Sequence, residues 1–286
     1  MNIIPTVDLS PFFRDGDHQG DKNKAMEAIG QACSEYGFFQ IVNHGVPHAL
    51  MSRALHLSKT FFEYPDEEKL KVYRQPKHSQ DKNEYLLLFP PQSNFNVYPK
   101  NPPEFREVFK EIFSHLTRTG MLVESILNEC LGLPPNFLKE YNHDRSWDFM
   151  TALHYFPATK IENNGLSEHE DGNLITFVFQ DEAGGLEVCK NGEWIPVTPA
   201  EASIIVVNVG DVIQSATHRV VRTEGRSRYS YAFFYNLQGD KYVEPLSQIP
   251  LKGVPLYQQL RMRNKTHPPS RPEDVVHISH YAISTT

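Results

Sequence analysis

The sequence predicts a mixed, mainly β fold: a double-stranded β-helix (jelly roll) core with flanking α-helices. In residues 149–246, short segments rich in β-branched and aromatic residues alternate with Gly, Pro or Asn, which is typical of a jelly roll. In residues 1–148, apolar residues recur mostly at helical spacing around a few short strands. We expect a single domain over residues 1–286, in which residues 247–286 form a C-terminal helix and tail.

Each early element has its own signal. Residues 4–9 predict an opening strand, and residues 37–45 predict a short buried strand that ends in a turn. Residues 22–36 predict a helix because their apolar residues form one stripe, and residues 48–63 predict a second helix. Residues 74–102 are polar and rich in proline, which predicts a long loop.

The later elements follow from similar signals. Residues 103–132 predict a long amphipathic helix, with a proline in its first turn and a glycine at its end. Seven further strands are predicted, at residues 149–156, 173–180, 185–189, 193–197, 202–210, 217–221 and 228–236. A last helix is expected near residues 255–264, where the basic residues indicate a solvated face.

The composition excludes several classes of function. The formal net charge is -7, so the chain has no electrostatic footprint for nucleic acid or anionic lipid. Hydrophobic residues make up 40%, as in a globular protein, and no apolar run approaches a membrane span. Three cysteines in no zinc-like spacing indicate free thiols. We expect a cytoplasmic monomer that acts on a small molecule, with no nucleic-acid or membrane partner.

A candidate metal site begins at His169 and Asp171. Residues two apart in an extended strand face the same way, so both side chains can reach one ion. His218 follows several predicted strands later, and a jelly roll can return it beside the first pair. Two imidazoles and one carboxylate form the facial triad of non-haem Fe(II) oxygenases, although zinc or another divalent ion would accept the same ligands.

Arg228 and Ser230 form a second pair on one face of a predicted strand. A guanidinium and a hydroxyl make a charge-assisted receptor for a carboxylate. Because the surrounding strand is aromatic and apolar, the arginine should be buried, and a buried arginine needs an anionic partner. Here that partner could be a ligand.

At this point the chain resembles the plant-type 2-oxoglutarate- and Fe(II)-dependent dioxygenases related to isopenicillin N synthase. The blocks that carry the resemblance occur in family order along almost the whole chain: IPTVDLS, GFFQIVNHGVP, HEDGNLITFVFQDEAGGLEV, GEWIPV, VNVGDVIQ, THRVV and RYSYAFFYN. The resemblance implies that His169, Asp171 and His218 bind iron. It also implies that Arg228 and Ser230 hold the distal carboxylate of 2-oxoglutarate.

Two departures from the family pattern carry consequences. Where the family has Asn-x-Tyr, this chain has His154 and Phe156, so the hydroxyl that helps to hold 2-oxoglutarate is expected to be lost, with His154 as its candidate substitute. Only Ser215 and Ala216 lie between VNVGDVIQ and THRVV, so a strand and turn near the iron are expected to be missing.

The resemblance implies an enzyme that uses Fe(II), 2-oxoglutarate, O2 and, in some relatives, ascorbate. It would hydroxylate or otherwise oxidise a small, largely apolar plant hormone or specialised metabolite. Phe234 shares the strand face of Arg228 and, with Phe156, is a candidate for substrate binding. No residue beyond the metal ligands is expected to act in catalysis. The alternatives are an iron oxidase without 2-oxoglutarate, a turnover-deficient metabolite-binding relative, and a zinc hydrolase.

Overall fold

The computed structural model describes residues 3–72, 81–198, 203–210, 213 and 215–236. Within these ranges the strands are β1 (Thr6–Asp8), β2 (Phe38–Val42), β3 (Asn83–Leu88), β4 (Phe149–Tyr155), β5 (Asn164–His169), β6 (Ile175–Gln180), β7 (Leu186–Lys190), β8 (Glu193–Pro196), β9 (Ile205–Val209), β10 (His218–Val221) and β11 (Arg228–Tyr235). The helices are α1 (Gln19–Tyr36), α2 (His48–Phe62), α3 (Asp66–Lys69), α4 (Phe105–Cys130) and α5 (Phe137–Tyr141). None of the helices in the described ranges has the length and apolar character that a membrane crossing requires.

The strands form two sheets that face each other. The larger sheet has seven strands in the order β1-β2-β9-β6-β11-β4-β3, and the smaller has the order β5-β10-β7-β8. Side chains alternate between the two faces of each strand, so every strand of the larger sheet presents one set to the helices and the other to the smaller sheet. This is the expected jelly-roll arrangement with flanking helices.

The helices cover one face of the larger sheet. In α1, the predicted stripe of Ala25, Ile29, Ala32 and Cys33 is buried, because these positions fall on one side of a helix. Helix α4 buries a longer stripe that includes Phe113, and the Phe113 ring meets Phe233 of β11 edge to face at 4.9 Å. The three cysteines are free thiols, as the sequence indicates.

A second apolar cluster lies between the two sheets. Phe38, Tyr155 and Val206 of the larger sheet pack there with Val188 and Val220 of the smaller one. This cluster is smaller than the one beneath the helices and leaves room on the same faces for polar side chains. The space between the sheets is therefore where a polar site is built.

Several boundaries differ from the sequence-based expectations. The predicted loop at 74–102 contains β3, which pairs antiparallel with β4 and forms an edge of the larger sheet. Its Glu84 is polar but buried, which disguised the alternation of a strand. Residues 164–169, which carry few strand-favouring residues, form β5. The helix expected at 255–264 lies outside the described residues.

Two glycines test how closely α4 packs on the sheet. A Cβ at position 120 would lie 2.5 Å from the Tyr235 ring, so we expect Gly120→Ala to lower the free energy of unfolding by about 1–3 kcal/mol. A Cβ at Gly30, also in a helix, would meet Cys130 Sγ at 3.5 Å, an ordinary contact. Gly30→Ala should therefore leave stability unchanged or raise it by up to ~1 kcal/mol. Urea denaturation measures both; equal effects would contradict the packing described.

Candidate metal centre

The pairing of β5 with β10 brings two histidines together. His169 ends β5 and His218 begins β10, and the antiparallel register places them directly opposite each other. Their ring centroids are 4.1 Å apart. The short connection before β10 thus still delivers His218 to the position opposite His169. Asp171 lies two residues beyond the end of β5, in a loop and not in the strand that the sequence predicted.

The three side chains offer one ligand atom each within 4.8 Å of one another. His169 Nε2 lies 3.8 Å from Asp171 Oδ1, and His218 Nε2 lies 3.9 Å from Asp171 Oδ2. Two atoms bound to one ion through bonds of roughly 2.0–2.2 Å lie no more than about 4.4 Å apart, so both separations suit a shared ion. The chemistry of the donor set, two imidazoles and one carboxylate, fits Fe(II).

Each imidazole is oriented by its own backbone. The Nδ1 atoms of His169 and His218 lie 2.8 Å and 2.9 Å from the carbonyl oxygens of Ser167 and Ala216. With Nδ1–H donating to these carbonyls, Nε2 of each ring is left as the metal-binding nitrogen. Burial, together with the neighbouring His169, lowers the pKa of His218 to about 4, so this imidazole is neutral at physiological pH, as a metal ligand must be.

Asp171 is held by two short hydrogen bonds to the same oxygen. Thr176 Oγ1 of β6 and Asn208 Nδ2 of β9 each donate to Asp171 Oδ2 at 2.7 Å. The Ser215 hydroxyl accepts a further bond from the Asp171 backbone N–H at 3.2 Å. All three carboxylate-side partners, Asp171, Thr176 and Asn208, are buried. The larger sheet thus fixes a ligand that follows a strand of the smaller sheet.

Arg228 and Ser230 lie at the start of β11 and face the smaller sheet. The Arg228 guanidinium is buried; Nη1 donates to Ser230 Oγ at 3.1 Å and Nη2 donates to Gln180 Oε1 at 2.6 Å. Its Nε has no hydrogen-bond partner among the described residues, and none of their carboxylates forms an ion pair with it. A buried cation whose polar partners are all neutral fits an anionic ligand such as a carboxylate.

Tyr155 is the residue that the sequence analysis missed at this receptor. The β4–β11 register places Tyr155 directly opposite Arg228, and Arg228 Cζ lies 4.7 Å from the centre of its ring. Burial raises the pKa of Tyr155, while the Arg228 charge and side-chain hydrogen bonds to Arg228 and Ser230 oppose that rise. A hydroxyl is therefore present beside the receptor, one residue before the position at which the family pattern predicted its loss.

The geometry contradicts the expected roles of His154 and Phe156. His154 pairs with Tyr229, so its side chain is on the helix-facing side of the sheet, opposite to Arg228. There it stacks on Tyr229 and bonds Glu84 at 2.8 Å and Ser227 at 3.1 Å. Phe156 follows the strand and packs edge to face on His154. Neither residue shares the face of Arg228, because alternation along β4 gives that face to Tyr155.

Phe234 does share the face of Arg228, as predicted. It is partly exposed and stacks on Phe149 of β4, with ring centroids 4.4 Å apart and planes 21° apart. The two rings form an apolar wall farther along β11, beyond Ser230 and Ala232. Whether this wall touches a substrate stays a prediction.

Two family models match the chain. One, described as the non-haem dioxygenase in morphine synthesis N-terminal region, matches residues 4–87. The other, the 2OG-Fe(II) oxygenase superfamily, matches residues 147–237, which contain the candidate metal ligands and the carboxylate receptor.

Curated relatives and solved structures agree with these matches. Jasmonate-induced oxygenase 1 of Arabidopsis thaliana is 32% identical over 88% of this chain and 68% of its own length. Flavonol synthase/flavanone 3-hydroxylase of Matthiola incana is 30% identical over 88% and 92%, respectively. A crystal structure of JOX2 in complex with 2OG, Fe and JA has a TM-score of 0.81 at 26% identity, covering 99% of this chain and 90% of that one.

The hydrogen bonds on Asp171 can be tested by metal affinity. Asn208→Ala removes one of the two donors to Asp171 Oδ2, so we expect Mn(II) affinity to fall by about 10–100-fold. Titration of metal-free protein, followed by the electron paramagnetic resonance of free Mn(II), measures this. The matched control is Asn128→Ala in α4, where the amide bonds only backbone groups. It should lower the melting temperature without changing the metal affinity; the same metal affinity in Asn208→Ala as in the wild type would contradict the role of Asn208.

Proposed function

Because this chain belongs to the 2-oxoglutarate- and Fe(II)-dependent oxygenase superfamily, we propose that it holds Fe(II) with His169, Asp171 and His218. It is a 2-oxoglutarate-dependent non-haem iron dioxygenase of the plant type. The observation that carries the ligand assignment is the convergence of two imidazole nitrogens and one carboxylate oxygen within 4.8 Å. The fixed orientation of both rings supports it further, since Nε2 of each faces the carboxylate.

We propose that the distal carboxylate of 2-oxoglutarate binds Arg228, Ser230 and Tyr155. The buried guanidinium, with only neutral partners among the described residues, supports this role because burial of an uncompensated charge is costly. Strand β6 relates the two halves of the site. Its Thr176 bonds Asp171 and its Gln180 bonds Arg228, four residues apart on one face, or roughly 13 Å along the strand.

The residues of the chain then have distinct tasks. When bound, iron and 2-oxoglutarate together supply the activation of O2 that oxidises the substrate, with succinate and CO2 as products. His169, Asp171 and His218 hold the metal on one side, and Arg228 orients the cosubstrate by its far end. The apolar side chains between the two sheets exclude water from the cosubstrate. No side chain has to act as general acid or base.

We propose a small, largely apolar substrate that lies against Phe234 and Phe149. These rings are on the face of Arg228 and remain partly exposed, as a wall of a ligand pocket requires. Relatives named for flavanone, jasmonate and deacetoxyvindoline chemistry are consistent with such a compound. A single-chain, cytoplasmic protein without ascorbate dependence or with it, acting on a plant hormone or specialised metabolite, stays a prediction.

The alternative readings lose their particular support. An oxidase without 2-oxoglutarate was motivated by the missing hydroxyl, and Tyr155 supplies one beside Arg228. A turnover-deficient relative was motivated by the short connection before β10, and His218 nevertheless lies opposite His169. A zinc hydrolase would need a general base beside the metal, and the receptor at Arg228 favours an acidic cosubstrate instead.

Arg228→Met tests the cosubstrate assignment. It keeps the length and apolar stem of the side chain but removes the charge, so we expect the KM for 2-oxoglutarate to rise by roughly 100-fold or more. Succinate formed in the presence of Fe(II), O2 and a panel of small plant metabolites measures the rate. Arg226→Met is the matched control, because Arg226 is exposed and pairs only with Glu182 at the surface; its KM should equal that of the wild type.

Three outcomes separate the readings. Succinate that depends on Fe(II) and is lost in Arg228→Met supports the proposal. Oxidation of a metabolite without succinate would favour the oxidase. An Arg228→Met protein with an unchanged KM would overturn the assignment of the receptor.

A further inference from the structure

We propose that Gln180 is a positioning residue that orients Arg228 and thereby sets the affinity for the distal carboxylate of the cosubstrate. The inference rests on the proposed function, since it concerns the same receptor. Gln180 is the last residue of β6 and lies directly opposite Ser230 in the register with β11. Its side chain is therefore on the face of Arg228, between the two sheets.

A single neutral contact fixes the far end of the guanidinium. Gln180 Oε1 accepts a hydrogen bond from Arg228 Nη2 at 2.6 Å, while Ser230 Oγ accepts from Nη1 at 3.1 Å. The two acceptors lie on the two terminal nitrogens, so together they determine the plane of the guanidinium. Since bidentate recognition of a carboxylate depends on that plane, loss of either contact should weaken binding.

Two buried donors in this cluster have no acceptor. Arg228 Nε and Gln180 Nε2 are both fully shielded from solvent and find no hydrogen-bond partner among the described residues. A buried donor without an acceptor costs about 1–3 kcal/mol, so such donors normally have a partner in the functional state. A carboxylate has enough acceptor sites for both donors, which makes Gln180 Nε2 a second point of contact for the same ligand.

The neutrality of Gln180 explains why a glutamine suits this position. A carboxylate here would form a permanent ion pair with Arg228 and would repel the incoming anion. An apolar residue would leave Nη2 without an acceptor. An amide aligns the guanidinium and leaves its charge available for the cosubstrate.

Isothermal titration calorimetry of the Mn(II)-loaded protein tests the proposal without turnover. We expect Gln180→Met to bind 2-oxoglutarate about tenfold more weakly than the wild type, and Gln180→Glu at least as weakly. Pyruvate, a 2-oxo acid without a distal carboxylate, should bind all three proteins equally. Gln40→Met is the matched control: Gln40 is equally buried on the same face of the sheet, but lies in β2 and bonds the Ile4 carbonyl.

The outcomes distinguish this inference from the proposed function. If the wild type and Gln180→Met bind 2-oxoglutarate equally while Arg228→Met does not bind it, Gln180 has no positioning role and the proposed function stands. If the wild type itself does not bind 2-oxoglutarate, the proposed function fails and the inference with it. Equal losses for 2-oxoglutarate and pyruvate, or the same loss in Gln40→Met, would show a general structural effect and would overturn the proposal. Should Gln180→Met be unfolded by circular dichroism, Gln180→Glu, which keeps the shape of the side chain, decides the question alone.

Discussion

The register of β11 between β4 and β6 is the constraint on which the site depends. β11 presents Arg228, Ser230 and Phe234 to the smaller sheet, and its aromatic residues, from Tyr229 to Tyr235, to the helices. A slip of one residue would exchange the two faces, burying the arginine beneath the helices and moving the aromatic rings into the site. The packing of the rings against α2 and α4 therefore fixes the orientation of the arginine, so the core and the receptor are specified together.

Polar groups of the site are buried but mostly paired, which limits the cost of building it. Asp171 gains two hydrogen bonds from the larger sheet, and each histidine ring bonds a backbone carbonyl. Charges that lack compensation remain where a ligand would supply it: the triad of donors suits a cation, and the Arg228 guanidinium suits an anion. A site of this kind is preorganised, since little has to move when the ligands bind.

Local pattern was sufficient for the elements that obey a simple periodicity. The stripe of α1, the long helix α4 and the pair Arg228 and Ser230 could be recognised from spacing alone, because alternation and helical repeat are properties of the chain itself. What failed depends on pairing between distant strands. His154 and Tyr155 differ by one position, and only the register with β11 shows which of them faces the receptor. Likewise, the role of Gln180 follows from its position opposite Ser230, and Asp171 is placed by contacts from β6 and β9 instead of by strand alternation.

The central claim is that one ion bound by His169, Asp171 and His218 and one 2-oxoglutarate anchored at Arg228 share the space between the sheets. The most direct measurement is the visible absorption spectrum of metal-free protein to which Fe(II) and then 2-oxoglutarate are added without oxygen. The account predicts a weak charge-transfer band that saturates at one equivalent of each per chain and does not form when succinate replaces 2-oxoglutarate, because succinate lacks the 2-oxo group that chelates iron. Protein that binds Fe(II) but gives no band at saturating 2-oxoglutarate would contradict it.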